Sequence, residues 1–232
     1  MQKQKRKSYI TGRCILSSRD MKANTSSTAI WESLVRNERE LTTRPDLEEL
    51  ARRLGKEPRN AIDHLVRSGY LVPLFKGSYY VRDPAELRLN VTKHDPLELF
   101  ADSARWKGLD PWYFGLHTAL RLHGMTHEFR RWETVISARV YRIGGIEILG
   151  RKFIIHKWNR ALTTFGVIRL NGLPVSDPEK TVLDLAYSDY WSERKGHAPT
   201  EDWKTYLHSV DRRKLKRYLA RFPAYFRSGV RL

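Results

Sequence analysis

Five polar side chains lie within residues 59–67, at spacings that a helix brings to one side. The first, third and fifth are four residues apart and share a helix face, and the other two lie beside it. The five are Arg59, Asn60, Asp63, His64 and Arg67. Arginine can bond to O6 and N7 of guanine together, and asparagine can bond to N6 and N7 of adenine. The pattern therefore suits contact with base edges. An ordinary solvated helix face with Arg–Asp pairs is the alternative.

The surrounding sequence predicts helices that would hold these residues in place. An amphipathic helix begins after Arg44 and ends at Gly55, because four apolar residues follow the i, i+3, i+4, i+7 pattern: Leu47, Leu50, Ala51 and Leu54. The next helix runs from Pro58 to Gly69, and its apolar stripe consists of Ala61, Ile62, Leu65 and Val66. An earlier helix starts near Thr28.

Two β-prone runs follow the last of these helices. Residues 71–76 and 79–82 are separated by Gly77 and Ser78, and glycine at the first loop position permits the positive φ of a type II′ turn. Three helices and a hairpin in this order predict a winged helix-turn-helix domain over residues 26–83, with a generic small helical domain as the alternative. In a helix-turn-helix, the second helix of the motif enters the major groove of DNA.

This arrangement assigns candidate contacts to duplex DNA. We predict base contacts from Arg59, Asn60 and His64. Phosphate contacts are predicted for residues on the helices, at the hairpin tip and in the N-terminal segment: Arg67, Lys56, Arg44, Lys76, Ser78, Lys5, Arg6 and Lys7. A solvated turn is the alternative for the hairpin tip.

The charge of the chain is concentrated at its ends. The formal net charge is +17, and residues 1–25 hold seven Lys or Arg against one Asp, while residues 211–232 hold eight against one. Residues 26–90 hold eleven basic against ten acidic residues, so the basic ends would supply much of the attraction to phosphates. We read residues 1–25 as a basic arm, with a transit peptide as the alternative.

Residues 84–232 predict a second domain of mixed α+β type, entered through a linker at residues 83–95. Helices are expected at 96–107, 112–123, 177–186, 200–209 and 211–221, with strands at 133–140, 146–149, 153–157 and 165–170. Basic residues of the last helix form a possible surface for a partner or for a second stretch of DNA: Arg212, Arg213, Lys216 and Arg217. A solvated helix face is the alternative for them.

The remaining candidates for chemistry are weak, and we predict neither an enzyme nor a metal or cofactor site. His117, His123 and His127 do not share one helix face. Asp177 and Glu179 suit the start of a helix, and Asp184 lies beyond its first turn. The sequence has no P-loop, dinucleotide loop, His-Glu-x-x-His helix or Gly-x-Ser-x-Gly turn.

Composition limits the setting of the protein. Cys14 is the one cysteine, so neither an intrachain disulfide nor a cysteine-based zinc site can form. Apolar residues make up 41% of the chain, which is enough for a packed core, and no apolar run approaches the length of a membrane span. We expect a cytoplasmic protein without membrane contact.

Two segments of the second domain resemble AbiEi-family antitoxins of type IV toxin–antitoxin systems, which act in viral defence. Residues 113–124 read YFGLHTALRLHG and resemble the family's helix that ends in Leu-His-Gly. Residues 172–184 read GLPVSDPEKTVLD and are similar to its Asp-Pro-Glu-Arg-Thr-x-x-Asp segment, with Lys180 where arginine is usual. The resemblance covers roughly residues 28–190.

The resemblance implies an autorepressor that binds inverted repeats in its own promoter through the winged helix, where copies can associate. It also implies that the second domain counteracts a co-encoded nucleotidyltransferase-like toxin, without need of a tight complex. Two other functions stay open. One is a small nuclease that uses Glu133, Glu147 and Asp177. The other is an RNA-binding or membrane-surface adaptor that works through the basic ends.

Overall fold

The computed structural model describes residues 18–194 and 203–230, with side chains from residue 27 onward except at positions 76 and 193. Within these ranges the fold is α+β, as predicted, with helices, a three-stranded sheet and a six-stranded sheet. No helix in the described ranges is both long and apolar enough to cross a membrane. We call residues 18–83 the N-terminal unit and residues 84–230 the C-terminal unit.

The N-terminal unit contains three helices and three short strands. In chain order they are α1 (Ser18–Arg36), β1 (Leu41–Thr43), α2 (Arg44–Arg53), α3 (Pro58–Arg67), β2 (Leu71–Pro73) and β3 (Ser78–Val81). Helix α2 begins where the sequence predicts because Thr43 and Asp46 form a capping box. Helix α1, however, begins at Ser18 rather than near Thr28, so the predicted arm of residues 1–25 overlaps the first helix.

The small sheet has the order β1-β3-β2, and both of its faces are covered. Side chains alternate along a strand, so Leu71 and Val81 point to one face and Val72 and Tyr80 to the other. The first pair packs with α1, α2 and α3, while the second pair belongs to the core of the C-terminal unit. Both β-prone runs are apolar because side chains on both faces of this sheet are buried.

The hairpin of residues 71–81 closes differently from the prediction. Phe75–Gly77 form a turn of 3-10 helix, and the N–H of Leu74 donates to the carbonyl of Ser78 at 2.9 Å. Gly77 takes the positive φ of +69° at the end of this loop, so the predicted two-residue type II′ turn is wrong. Burial of Phe75 accounts for the extra loop residue, because its ring packs against the C-terminal unit.

The predicted linker at residues 83–95 is ordered. It contains α4 (Pro84–Leu89), whose start is capped by Asp83 and Glu86. The buried carboxylate of Glu86 accepts hydrogen bonds from the hydroxyl of Tyr80 and from the backbone N–H groups of Asp83 and Lys93 at 2.7–2.8 Å. A buried carboxylate needs such donors, and here they fix the connection to β3.

The C-terminal unit is built on the six-stranded sheet, with strand order β6-β7-β5-β4-β9-β8. Its strands are β4 (Trp112–Phe114), β5 (Trp132–Ser137), β6 (Arg142–Ile148), β7 (Arg151–Lys157), β8 (Val167–Leu170) and β9 (Leu173–Ser176). Its further helices are α5 (Pro96–Trp106), α6 (Leu116–Leu122), α7 (Pro178–Arg194), α8 (Arg212–Leu219) and α9 (Ala224–Arg227), and Trp203–Ser209 form a 3-10 helix. Strands β4 and β9 pair in parallel, as do β5 and β7.

The predicted helix at 112–123 is wrong in its first part. Residues 112–114 form the interior strand β4, and α6 starts only at Leu116. Trp112 and Phe114 enter the core shared with α5, whereas Tyr113 points to the opposite face, towards α6 and α7. A strand buried on both faces shows a continuous apolar run, which periodicity does not separate from a buried helix.

Candidate nucleic-acid interface

Helix α3 presents a polar face to solvent, as the sequence predicts. Ala61, Ile62 and Leu65 are buried against the rest of the N-terminal unit, while Arg59 and Asn60 are exposed. The carboxylate of Glu57 accepts hydrogen bonds from the backbone N–H groups of Arg59 and Asn60, at 3.2 and 2.6 Å. The start of the helix is therefore fixed, and two of the three predicted base-contacting residues, Arg59 and Asn60, project from its first turn.

The arginines of α2 and α3 differ in their pairing. On α2, each of the three arginines lies within 3.5 Å of Glu48 or Glu49: Arg44, Arg52 and Arg53. On α3, neither Arg59 nor Arg67 forms an ion pair with a described carboxylate, and the Nε of Arg67 donates to the backbone carbonyl of Asp63. The Arg–Asp pairs expected for an ordinary solvated face are thus not formed on α3 in the described part of the chain, and its guanidinium groups remain available.

A shallow groove of about 490 Å³ lies between α3 and the hairpin. Its lining includes Asp63 and Arg67 of α3 and Tyr79 of β3. Arg44, at the start of α2, lies beside Gly77, because a Cβ added to that glycine would be 3.8 Å from the Arg44 Cβ. A hydrogen bond to Glu48 raises the pKa of Arg44. Arg44 and Arg67 therefore flank the groove, as predicted phosphate contacts would.

Two of the predicted DNA contacts are corrected. Ser78 is buried and its hydroxyl donates to the carbonyl of Phe75, so its side chain cannot reach a phosphate. His64 is half-buried, and its Nε2 atom is enclosed without a hydrogen-bond partner, so a base contact through that atom is excluded. Lys56 is half-buried in the turn before α3. Lys5, Arg6, Lys7 and the side chain of Lys76 lie outside the described part of the structure.

The basic helix α8 is exposed on one side and anchored on the other. Arg212, Arg213, Lys216 and Arg217 are exposed, as predicted for a partner surface or second DNA surface. Lys214 instead turns inward and lies 3.1 Å from Asp177 and 2.7 Å from Glu179. Burial works to raise the pKa of Glu179, but hydrogen bonds from Lys214 and from the backbone of Asp211 outweigh it and lower the pKa.

The two segments that carry the family resemblance meet in the structure. The His123 imidazole bonds to the carbonyl of Ser176 at 2.7 Å, and Phe114 pairs with Val175 across β4 and β9. Asp177 accepts a hydrogen bond from the backbone N–H of Lys180 at 2.8 Å, which confirms its predicted role at the start of a helix. Both segments therefore contribute to a single packing centre.

Lys180, which the sequence does not single out as buried, lies at that centre. Its ammonium group bonds to the Asp184 carboxylate and to the Tyr113 hydroxyl, and Tyr113 also bonds to Asp184 at 2.7 Å. Rings of Trp158, Phe165, Phe222 and Tyr113 lie 5.0–5.6 Å from the ammonium nitrogen. Burial lowers the pKa of Lys180 and raises the pKa of Asp184. Because all three polar residues are enclosed, the arrangement suits fold stabilisation rather than catalysis.

The carboxylates of the nuclease alternative do not come together. Glu133 is buried and bonds to Arg121 and Thr118 at 2.9 and 2.8 Å, while Glu147 is exposed on the edge strand β6. In the described residues no three His, Cys, Asp or Glu side chains are grouped as metal ligands would be. His117 and His123 have separate surroundings, and burial lowers the pKa of His117 to about 4.

Comparison with known proteins gives a likeness of fold. No protein-family model matches the sequence, and a search of curated proteins finds no significant match. The crystal structure of the RV2827C protein from Mycobacterium tuberculosis aligns with a TM-score of 0.57 and 18% sequence identity, over 87% of this chain and 73% of that one. At this identity the match establishes a shared fold.

Proposed function

We propose that the protein is a sequence-specific DNA-binding repressor and that residues 26–83 act as a winged helix-turn-helix. The observation that carries the proposal is the first turn of α3, where Arg59 and Asn60 are exposed on a capped helix and Arg59 has no ion pair with a described carboxylate. An arginine and an asparagine held in this way can each make a bidentate contact to a base in the major groove.

The hairpin contributes less to this mode of binding than a free wing would. Its tip packs on the C-terminal unit, so α3 and the start of α2 carry the contacts near the groove, with Arg44 and Arg67 at phosphates. The basic ends of the chain supply further attraction, since residues 26–90 are almost neutral.

A second role as an antitoxin rests on the resemblance of residues 113–124 and 172–184. Under this proposal the C-terminal unit counteracts a co-encoded nucleotidyltransferase-like toxin in the cytoplasm, and the α3 surface represses their shared promoter. The basic face of α8 is the surface we assign to a partner or to a second stretch of DNA, because Arg212, Arg213, Lys216 and Arg217 point to solvent. Separate surfaces for the two roles make them separable by mutation.

Binding to the duplex upstream of the gene tests the first role. Fluorescence anisotropy with full-length protein would compare this duplex with a scrambled duplex of equal length. If about six phosphates are neutralised, affinity falls by on the order of 10³ between 50 and 200 mM salt. Equal affinity for both duplexes at every salt concentration would reject sequence-specific repression.

The antitoxin role is tested in cells that express the neighbouring toxin. Full-length protein is required, because truncation at residue 84 would expose the core that the hairpin covers. A variant with Arg59→Ala and Asn60→Ala should rescue growth while losing promoter repression. A second variant should show the reverse, with promoter repression kept and rescue of growth lost. It removes the basic face of α8 through Arg212→Ala, Arg213→Ala, Lys216→Ala and Arg217→Ala. Failure of wild-type protein to rescue growth would reject the antitoxin role and leave the DNA-binding role intact.

A further inference from the structure

A cleft of about 530 Å³ opens between one edge of the six-stranded sheet and the second half of α7. Tyr141, directly before β6, and His156 of β7 line it on one side, and Tyr187 and Trp191 of α7 line it on the other. Trp158 follows directly after β7. This volume lies within the range of sites that bind small molecules. The cleft is separate from the α3 surface, which belongs to the N-terminal unit.

Aromatic rings form much of the cleft, and they differ in how firmly they are held. Tyr187 is 7% exposed, and its ring meets Trp158 nearly at right angles at 5.2 Å between centroids. Tyr141 and Trp191, in contrast, are 61% and 39% exposed. Fixed rings beside exposed rings can take up a planar ligand by stacking, which covers apolar surface on both partners.

The charge around the cleft favours an anion. Lys157 lines it, and none of the described residues in the lining is an aspartate or a glutamate. The guanidinium group of Arg194, at the end of α7, lies 5.7 Å from the Trp191 ring. Burial lowers the pKa of His156, so its neutral imidazole offers one hydrogen-bond donor and one acceptor near neutral pH.

We propose that this cleft binds an unstacked nucleobase that carries a phosphate, supplied by single-stranded nucleic acid or by a free nucleotide. The rings receive the base, and Lys157, with Arg194 nearby, attracts the phosphate. Base-paired duplex DNA does not fit this chemistry, because its bases are stacked on each other and do not present their faces. The proposal is independent of the DNA-binding role assigned to α3.

The test compares two oligonucleotides of equal length and charge with the full-length protein. One is a fluorescent thymidine octanucleotide, and the other has the same backbone without bases. The base-containing oligonucleotide should bind more tightly. Tyr141→Ala and Trp191→Ala should each weaken its binding by about 5- to 150-fold, the range for loss of one base–aromatic stack. Trp106→Ala, at the end of α5 and 45% exposed, is the matched control.

Duplex binding is measured on the same variants and should not change, which separates this cleft from the α3 surface. Trp191 also contacts Tyr225 of α9, so its removal affects packing as well as the cleft. Tyr141→Ala tests the same cleft without removing that contact. Competition by adenosine monophosphate identifies a free nucleotide as the source, whereas binding of the octanucleotide alone identifies single-stranded nucleic acid. Equal binding of the two oligonucleotides without any binding of the mononucleotide, or unchanged affinity in both cleft variants, overturns the proposal.

Discussion

The hydroxyl oxygens of Ser78 and Ser103 lie 2.9 Å apart, and this contact joins the hairpin of the N-terminal unit to α5 of the C-terminal unit. Beside it the rings of Phe75 and Phe100 pack with centroids 6.2 Å apart. The tip of the hairpin is therefore part of the larger core, and the two units share buried surface.

Phe75→Ala should lower the free energy of unfolding by about 3–5 kcal/mol, the usual cost of removing a buried phenylalanine ring. Because the hairpin belongs to both cores, unfolding should remain a single transition in urea when followed by tryptophan fluorescence and by circular dichroism. Leu89→Ala, at a position that is 65% exposed, is the control and should change stability little. Two separate transitions in the wild-type protein would contradict a shared core.

Arg59→Ala and Asn60→Ala should each weaken binding to the promoter duplex by about 1–3 kcal/mol, as lost bidentate base contacts do. The loss on a scrambled duplex should be much smaller, because the phosphate contacts remain. Arg52→Ala is the matched control, since that arginine is exposed on α2 but lies beside Glu48 and Glu49. Equal losses on both duplexes would show that α3 contacts the DNA backbone and not the bases.

Asp184→Ala should lower the free energy of unfolding by about 3–5 kcal/mol, because it leaves the charge of Lys180 buried without its carboxylate. The double variant Lys180→Met, Asp184→Leu should be more stable than Asp184→Ala, since it removes both charges. The exposed pair of Glu40 and Lys93 gives a comparison, and Glu40→Ala should cost at most about 1 kcal/mol. A double variant no more stable than Asp184→Ala would show that the site depends on its shape rather than its charges.

The imidazole of His117 should make the protein less stable in mild acid. Burial, followed by the charge of Arg130, lowers its pKa from 6.5 to about 4. As the pH falls from 6.5 to 4 the unfolded chain binds a proton that the folded protein does not, so the free energy of unfolding should fall by up to about 3 kcal/mol. Above pH 6.5 the histidine is neutral in both states and contributes no pH dependence.

Urea unfolding at a series of pH values measures this effect. His117→Gln should show a flatter dependence than the wild-type protein between pH 4 and 6.5, while His208→Gln, at an exposed position, should not. Burial also lowers the pKa of His156, so part of the dependence should persist in the His117 variant. Identical slopes for His117→Gln and wild type would contradict the assignment.

Local signals in the sequence predict the elements that start at strong caps. Helices α2 and α5 begin close to their predicted positions, because Thr43 and Asp95 each cap a helix that has proline in its first turn. Strand β9 is missed although the Asn171–Gly172 turn that joins it to β8 is a local hairpin signal. Strand β1 is missed because its partner β3 is distant in sequence. For the same reason the sequence does not show that Ser78 is buried against Ser103.

Within the candidate interface, the helical pattern correctly predicts the exposure of Arg59, Asn60 and Arg67. It fails for His64, because a helix wheel separates inner and outer faces but does not describe residues at their boundary. The helical pattern also does not predict the burial of Lys180. The aromatic rings around it come from four separate segments of the chain. A lysine four residues before an aspartate is more common on a solvated helix face.

The three hydrogen bonds to Glu86 have a consequence for any operator that the protein reads. They tie β3 to the start of the C-terminal unit, so α3 keeps a fixed orientation relative to the body of the protein. Two copies that touch each other on DNA would then hold their α3 helices at one distance and one angle. The distance between the two half-sites would then be set by the rigid structure of the protein. It would be a multiple of the helical repeat of DNA, about 34 Å. An insertion of half a turn between the half-sites would place the second copy on the opposite side of the duplex.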